Sequence, residues 1–233
     1  MRKSSGRMKT HISISKVSGP ARSGLPALPI RIGRAPRARR STFMFGLIVA
    51  ASTSFGPTAK AAERATGAFL KSGSEISAPD GFSGVCGRLS WMCASQSNGT
   101  AISDADMDAI RKVNTQINRQ VRYIEDVDQY SVEEYWALPS SRGGDCEDIA
   151  MLKMRELIAM GIDPARLFLA TVLDRKNRNH AVLVLRTASG DYVLDNQTNK
   201  IVHWTKTRYS FVRMQNPTSR NRWQKLMVGG VFS

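Results

Sequence analysis

One cysteine stands among acids in the stretch Gly143-Gly144-Asp145-Cys146-Glu147-Asp148. The two glycines let the backbone turn sharply and approach a neighbour closely. A helix-forming run follows to Met160 and is stopped by Gly161 and then Asp163-Pro164. Asp145 suits the N-cap, and Glu147 and Asp148 fall in the first turn, where negative charge complements the helix dipole. Cys146 is thereby placed at a helix N-terminus, where outward-pointing backbone N–H groups favour an anion. A thiol in that position is expected to have its pKa lowered from roughly 8.5 into the range of about 3.5–7.5.

A thiolate nucleophile needs a base, and the base needs a group that orients it. The histidines are His11, His180 and His203. His180 opens the apolar run Ala181-Val182-Leu183-Val184-Leu185. Asp195 ends the next run, Tyr192-Val193-Leu194, after the turn Ala188-Ser189-Gly190-Asp191. Two strands so joined form a hairpin that brings His180 and Asp195 together. Each residue also has a plain role: a small buried thiol, a histidine satisfied by a carbonyl, a turn aspartate. Together, in the order Cys146, His180, Asp195, they are a candidate triad. His203, within a strand pattern beside Trp204, reads as a half-buried sheet residue.

Three spaced motifs carry a family resemblance: Gly-Asp-Cys-Glu-Asp at 144–148, Asn179-His180-Ala181-Val182-Leu183, and Gly190-Asp191-Tyr192-Val193-Leu194-Asp195-Asn196. The chain resembles the bacterial transglutaminase-like cysteine proteinases from near Pro79 almost to its C-terminus. The resemblance implies an α+β fold of papain-like, transglutaminase-like type, with helices first and the nucleophile at a helix N-terminus packed on an antiparallel sheet. It implies Cys146 as nucleophile, His180 as general base and Asp195 as its orienter. The activity implied is that of an exported cysteine peptidase acting through a thioester acyl-enzyme, similar to periplasmic adhesin-processing proteases. The same thioester could pass its acyl group to an amine, giving transglutaminase-type transfer, and a non-catalytic binding module of the same fold is the third reading.

The chemistry requires no cofactor. Carboxylates beside Cys146 would nevertheless raise its pKa unless a cation offsets them. Ca²⁺ takes oxygen ligands of this kind, and the resemblance implies calcium at Asp145 and Glu147, with Asp148 as a further candidate. It also implies a protein substrate at the cell surface or envelope and a regulatory inner-membrane partner.

The net charge of +15 first suggests nucleic acid. Yet residues 1–61 hold twelve Lys/Arg and no acid, so residues 62–233 carry 22 bases against 19 acids. The basic character belongs to the leader, and no nucleic-acid partner is expected. Residues 1–61 read as a signal peptide with a long basic n-region, an apolar run Phe43–Ala51 and an Ala59-Lys60-Ala61 cleavage site. Cleavage would leave no stable membrane anchor and a periplasmic or secreted chain. Residues 62–78 read as a flexible mature N-terminus, and 79–233 as the catalytic domain. In an oxidising compartment, Cys86 and Cys93 are close enough in sequence to close a small disulfide loop, with Cys146 as the odd thiol. The alternative is that both are reduced and buried.

The elements that position these groups follow from periodicity. Met107, Ile110, Val113, Ile117, Val121 and Ile124 give a helix over 103–124, capped by Ser103. Asn114 and Asn118 lie beside its apolar face and read as packing residues. Trp136 packs under the nucleophile's loop, lines the cleft, or offers its indole N–H to an oxyanion, for which the backbone N–H of Cys146 is the better donor. Leu167–Leu173, Ala181–Arg186, Tyr192–Leu194, Ile201–Trp204 and Tyr209–Phe211 read as short strands. Asp174–Asn179 reads as a charged loop rimming the cleft, and 216–233 carries no decisive pattern.

Overall fold

The protein's structure is a computed structural model that describes residues 67–94 and 97–233. The expected signal peptide, residues 1–61, lies outside the described residues, as do residues 62–66. Among the described residues no helix is long and apolar enough to cross a membrane.

Among the described residues, seven strands make one antiparallel sheet: β1 (Glu75–Ile76), β2 (Leu167–Leu173), β3 (Asn179–Thr187), β4 (Gly190–Leu194), β5 (Val202–His203), β6 (Ser210–Asn216) and β7 (Ser219–Val228). Their order is β1-β7-β6-β2-β3-β4-β5. Period-two alternation decides which side chain faces which layer. Leu167 and Leu169 of β2 and Ala181, Leu183 and Leu185 of β3 face the helices. Phe168, Ala170, Val172, Val182 and Val184 face the opposite side, under Leu70, Trp204 and Tyr209. Both faces of the central strands are therefore buried, which explains their nearly unbroken apolar runs. Each fully buried Val, Leu or Phe contributes about 1.5–3 kcal/mol.

The helices are α1 (Val85–Arg88), α2 (Ser90–Cys93), α3 (Asp104–Gln120), α4 (Asp126–Tyr130) and α5 (Cys146–Ala159). The sulfurs of Cys86 and Cys93 are bonded, with S–S 2.02 Å and Cα–Cα 5.5 Å, joining α1 to α2. A capping box starts α3: Asp106 N–H donates to Ser103 Oγ at 3.1 Å, and Ser103 N–H to Asp106 Oδ2 at 2.8 Å. The helix ends at Gln120, short of the expected Ile124. From Val121 the chain is extended and pairs with the glycine turn, Gly144 N–H donating to Arg122 O at 3.1 Å and Ile124 N–H to Gly144 O at 3.2 Å. Pairing with the loop that carries Cys146 outweighs the last helical turn.

Two segments join the sheet without a signal in their composition. The segment 62–78, expected to be flexible, is held against the sheet from residue 67 onward. Leu70 N–H donates to Asp191 Oδ2 at 2.8 Å, Asp191 N–H to Ala68 O at 2.9 Å, and Trp204 Nε1–H to Gly67 O at 3.2 Å. Glu75 and Ile76 pair with Gln224 and Trp223. Small polar residues can satisfy a sheet edge through their backbone, so composition alone misled. The stretch 216–233 contains β7, the longest strand, whose Trp223 packs edge-on against Phe82 and Trp136 in the core.

Candidate active site

Gly143 has φ +132°, and a Cβ there would lie 2.0 Å from Arg122 O. Only glycine can make that approach. The turn delivers Cys146 as the first residue of α5, with Asp145 at the N-cap. The Asp145 side chain makes no capping hydrogen bond, contrary to the expected cap. It turns instead toward other carboxylates. The half-buried Cys146 Sγ accepts the Ala181 N–H at 3.3 Å and lies 3.2 Å from Glu147 Oε2.

Ala181 follows His180 on β3, so that hydrogen bond docks the sulfur beside the histidine's strand position. β3 and β4 pair with Leu183 opposite Leu194, which carries Asp195 back along the hairpin toward His180. His180 Nε2 and Asp195 Oδ1 are 2.9 Å apart, and both side chains are buried. Asp195 Oδ1 also accepts Gln197 N–H at 2.9 Å, and Oδ2 accepts Tyr209 Oη–H at 2.6 Å. Burial works to raise the Asp195 pKa, but the hydrogen bonds from His180, Tyr209 and Gln197 prevail and hold it below the usual carboxylate value. Asn118, read from sequence as packing, donates to Asp195 O at 2.9 Å, Thr198 O at 3.2 Å and Asn199 Oδ1 at 3.0 Å. Asn114 donates to Asn199 O at 3.2 Å. Together they fasten α3 to the loop that bears Asp195.

Cys146 and His180 open onto one cleft of about 920 Å³, bounded also by Tyr123, Trp136, Arg178 and Arg213. Asp174, Arg178 and Asn179 of the charged loop line the cleft, with Arg178 paired to Asp174 at 2.7 Å. Trp136 is 1% exposed. Its ring packs against Phe82 and Trp223, and its carbonyl accepts Arg88 Nη2–H at 3.0 Å. His203 lies away from the cleft residues, its Nε2–H donating to Ala68 O at 3.0 Å.

Asp126, Asp145 and Glu147 are buried, and one oxygen from each lies within 4.8 Å of the others. Asp126 Oδ1, Asp145 Oδ1 and Glu147 Oε1 lack any hydrogen-bond partner. Burial first, with Asp126 and Glu134 adding repulsion, raises Asp145 to about 6; burial and then Asp145 raise Glu147 to about 10. Three converging buried carboxylates, each with one oxygen left unpartnered, fit a divalent cation of the calcium type. Asp148 does not join them: its Oδ1 accepts Ala137 N–H at 2.8 Å. Asp126 takes the third place, and its other oxygen accepts Tyr135 N–H. Nothing local to Asp126 in the sequence signals this, since it lies on α4, far upstream of Cys146.

The expected low thiol pKa is reversed. Burial pushes the Cys146 thiol well up, and the charges of Glu147 and Asp145 push it further, against the opposing Ala181 N–H. A helix tip contributes roughly 0.3–1 kcal/mol toward an anion, too little to outweigh burial plus two adjacent carboxylates.

A family model for the bacterial transglutaminase-like cysteine proteinase BTLCP matches residues 72–230. No curated protein matches the chain. Among solved structures, calcium-bound Legionella pneumophila LapG is similar at 26% identity and TM-score 0.45, over 53% of this chain and 71% of that one. EGTA-treated Legionella pneumophila LapG is similar at 28% identity and TM-score 0.42, over 48% of this chain and 63% of that one. The family match spans more than half of the chain, which therefore belongs to the bacterial transglutaminase-like cysteine proteinases and is a cysteine peptidase acting on protein.

Proposed function

We propose that the peptidase is exported and cleaves its protein substrate through Cys146, His180 and Asp195. One observation carries this reading. The Ala181 N–H holds Cys146 Sγ while the adjacent His180 spends its Nε2 on Asp195, leaving Nδ1 for the thiol. His180 Nδ1 takes the thiol proton, and the thiolate attacks the scissile carbonyl carbon. The backbone N–H of Cys146, at a helix position without an intrahelical acceptor, holds the oxyanion. As the tetrahedral intermediate collapses, His180 gives its proton to the leaving amine and a thioester remains. His180 then takes a proton from water, the hydroxide attacks the thioester, and the acid departs as the thiol is reprotonated.

Asp126, Asp145 and Glu147 would hold Ca²⁺, which when bound supplies positive charge beside the thiol and offsets these carboxylates. The Cys86–Cys93 disulfide supports an oxidising, periplasmic or secreted setting. The test is to expose an envelope protein extract to wild type and to Cys146→Ala, His180→Ala and Asp195→Ala, and to map new termini. Proteins clipped by wild type and untouched by Cys146→Ala are expected. Clipping that survives in Cys146→Ala refutes the triad, and capture of added amine in place of hydrolysis refutes the peptidase chemistry.

A further inference from the structure

The group behind the triad is Tyr209. Its hydroxyl donates to Asp195 Oδ2 at 2.6 Å, and its ring stands edge-on to His180, centroids 5.9 Å apart at 88°. The side chain is buried, 4% exposed, on the sheet face away from the helices. It touches two members of the proposed triad and does not line the cleft.

The local backbone is shaped to deliver that hydroxyl. Trp204–Lys206 forms a tight turn, Thr207 Oγ1–H donates to Trp204 O at 2.7 Å, and Thr207 Oγ1 accepts Tyr209 N–H at 3.1 Å. Arg208 sits at φ +64°, a conformation that residues other than glycine seldom adopt. Arg175 Nε–H clasps the turn at Thr207 O, 3.1 Å away. Such strain persists where the surroundings over-determine it, which is common beside functional groups.

We infer that Tyr209 is a positioning residue for the peptidase reaction: it fixes the Asp195 carboxylate and backs the His180 ring so that the imidazole faces Cys146. The inference rests on the triad reading above. Among the described residues, Oδ1 of Asp195 has two donors, but Oδ2 has Tyr209 alone. The terminal torsion of an aspartate is soft and roughly two-fold. With Oδ2 released, the carboxylate turns, and the imidazole loses both its fixed tautomer and its aim.

The test uses the full protein and iodoacetamide, which alkylates Cys146 in every variant and needs no known substrate. Tyr209→Phe keeps the ring and removes only the donor. Loss of one hydrogen bond to a charged group corresponds to a fall of about tenfold to a hundredfold in the alkylation rate. The downfield proton signal of His180 Nε2–H should shift or vanish, which a merely structural role would not produce. In an Asp195→Ala background the same substitution should change neither readout. Wild-type alkylation and an unmoved His180 signal in Tyr209→Phe would overturn the inference, as would a full effect persisting without Asp195. Wild-type alkylation in Asp195→Ala alone would instead bring down the triad reading, and Tyr209's role with it.

Discussion

Lys153 lies on α5, two turns beyond Cys146, and is 1% exposed. Burial drives its pKa down to about 7, only partly offset by the Asp195 carboxylate. In the unfolded chain the group titrates near its ordinary value of about 10.4. The folded pKa is depressed, so between about pH 7 and 10 the unfolded state binds more protons than the folded one, and stability rises with pH in that window. Below pH 7 the lysine is charged in both states and the full penalty stands, on the order of 5 kcal/mol for a difference of roughly 3.5 units. Each pH unit gained above 7 removes about 1.4 kcal/mol of it. Methionine has the same unbranched reach and no charge. Lys153→Met should therefore be more stable than wild type at pH 7, and the gap should close steadily toward pH 10. Asp148, raised by burial to about 8, and Glu147, raised to about 10, titrate in the same window with the opposite slope. They are common to both proteins and cancel in the difference. Urea unfolding of both proteins at pH 7, 8, 9 and 10 measures that difference. A gap independent of pH, or a variant less stable at pH 7, would refute the assignment of a destabilising buried charge.

Three other outcomes are expected. Gly143→Ala puts a Cβ 2.0 Å from Arg122 O at φ +132°, and should lower unfolding free energy by on the order of 3 kcal/mol or more, read by thermal melting, with Cys146 no longer presented for alkylation. Asn118→Ala removes three donated hydrogen bonds from the Asp195 loop and should cost about 1–3 kcal/mol in urea unfolding while slowing peptide cleavage. Chelation of divalent ions should slow iodoacetamide alkylation of Cys146 at neutral pH, and Asp126→Ala should reproduce that loss with calcium present; equal rates under all conditions would remove the metal from the account.

The parts of the fold legible in the sequence are those whose side chains repeat with the element. β2, β3 and β4 show as short, nearly unbroken apolar runs between turn residues, and α3 announces itself by Ser103, Asp106 and an apolar stripe. β7 was hidden because Arg220, Arg222 and Lys225 interrupt its pattern, although Arg220 is itself fully buried. The path of residues 67–76 was hidden for another reason. It is held by backbone groups that reach Asp191, Trp204 and β7 more than a hundred residues away, and backbone groups leave no trace in residue type. Cys146, His180 and Asp195 stood out because rare residues coincide with element ends. Asp126, beside Asp145 and Glu147, and Tyr209, beside Asp195, are common residues at unremarkable positions in α4 and before β6, and only the fold brings them in.

The first turn of α5 answers two opposed electrostatic demands. Its N–H groups and the Ala181 N–H favour a sulfur anion, while burial and the carboxylates of Glu147 and Asp145 disfavour it more strongly. Capping does not account for these acids in full, because one oxygen each of Asp145 and Glu147 has no hydrogen-bond partner. Buried, unpartnered carboxylate oxygens cost several kcal/mol unless a proton or a cation meets them. A proton on Glu147 leaves Asp145 beside the thiol and keeps the sulfur protonated. Positive charge at Asp126, Asp145 and Glu147 would offset the carboxylates' part of that opposition and leave the helix tip, Ala181 and the cation together to act against burial. On our proposal the acids are therefore a gate on the nucleophile: the same residues that silence Cys146 when bare permit its ionisation when filled.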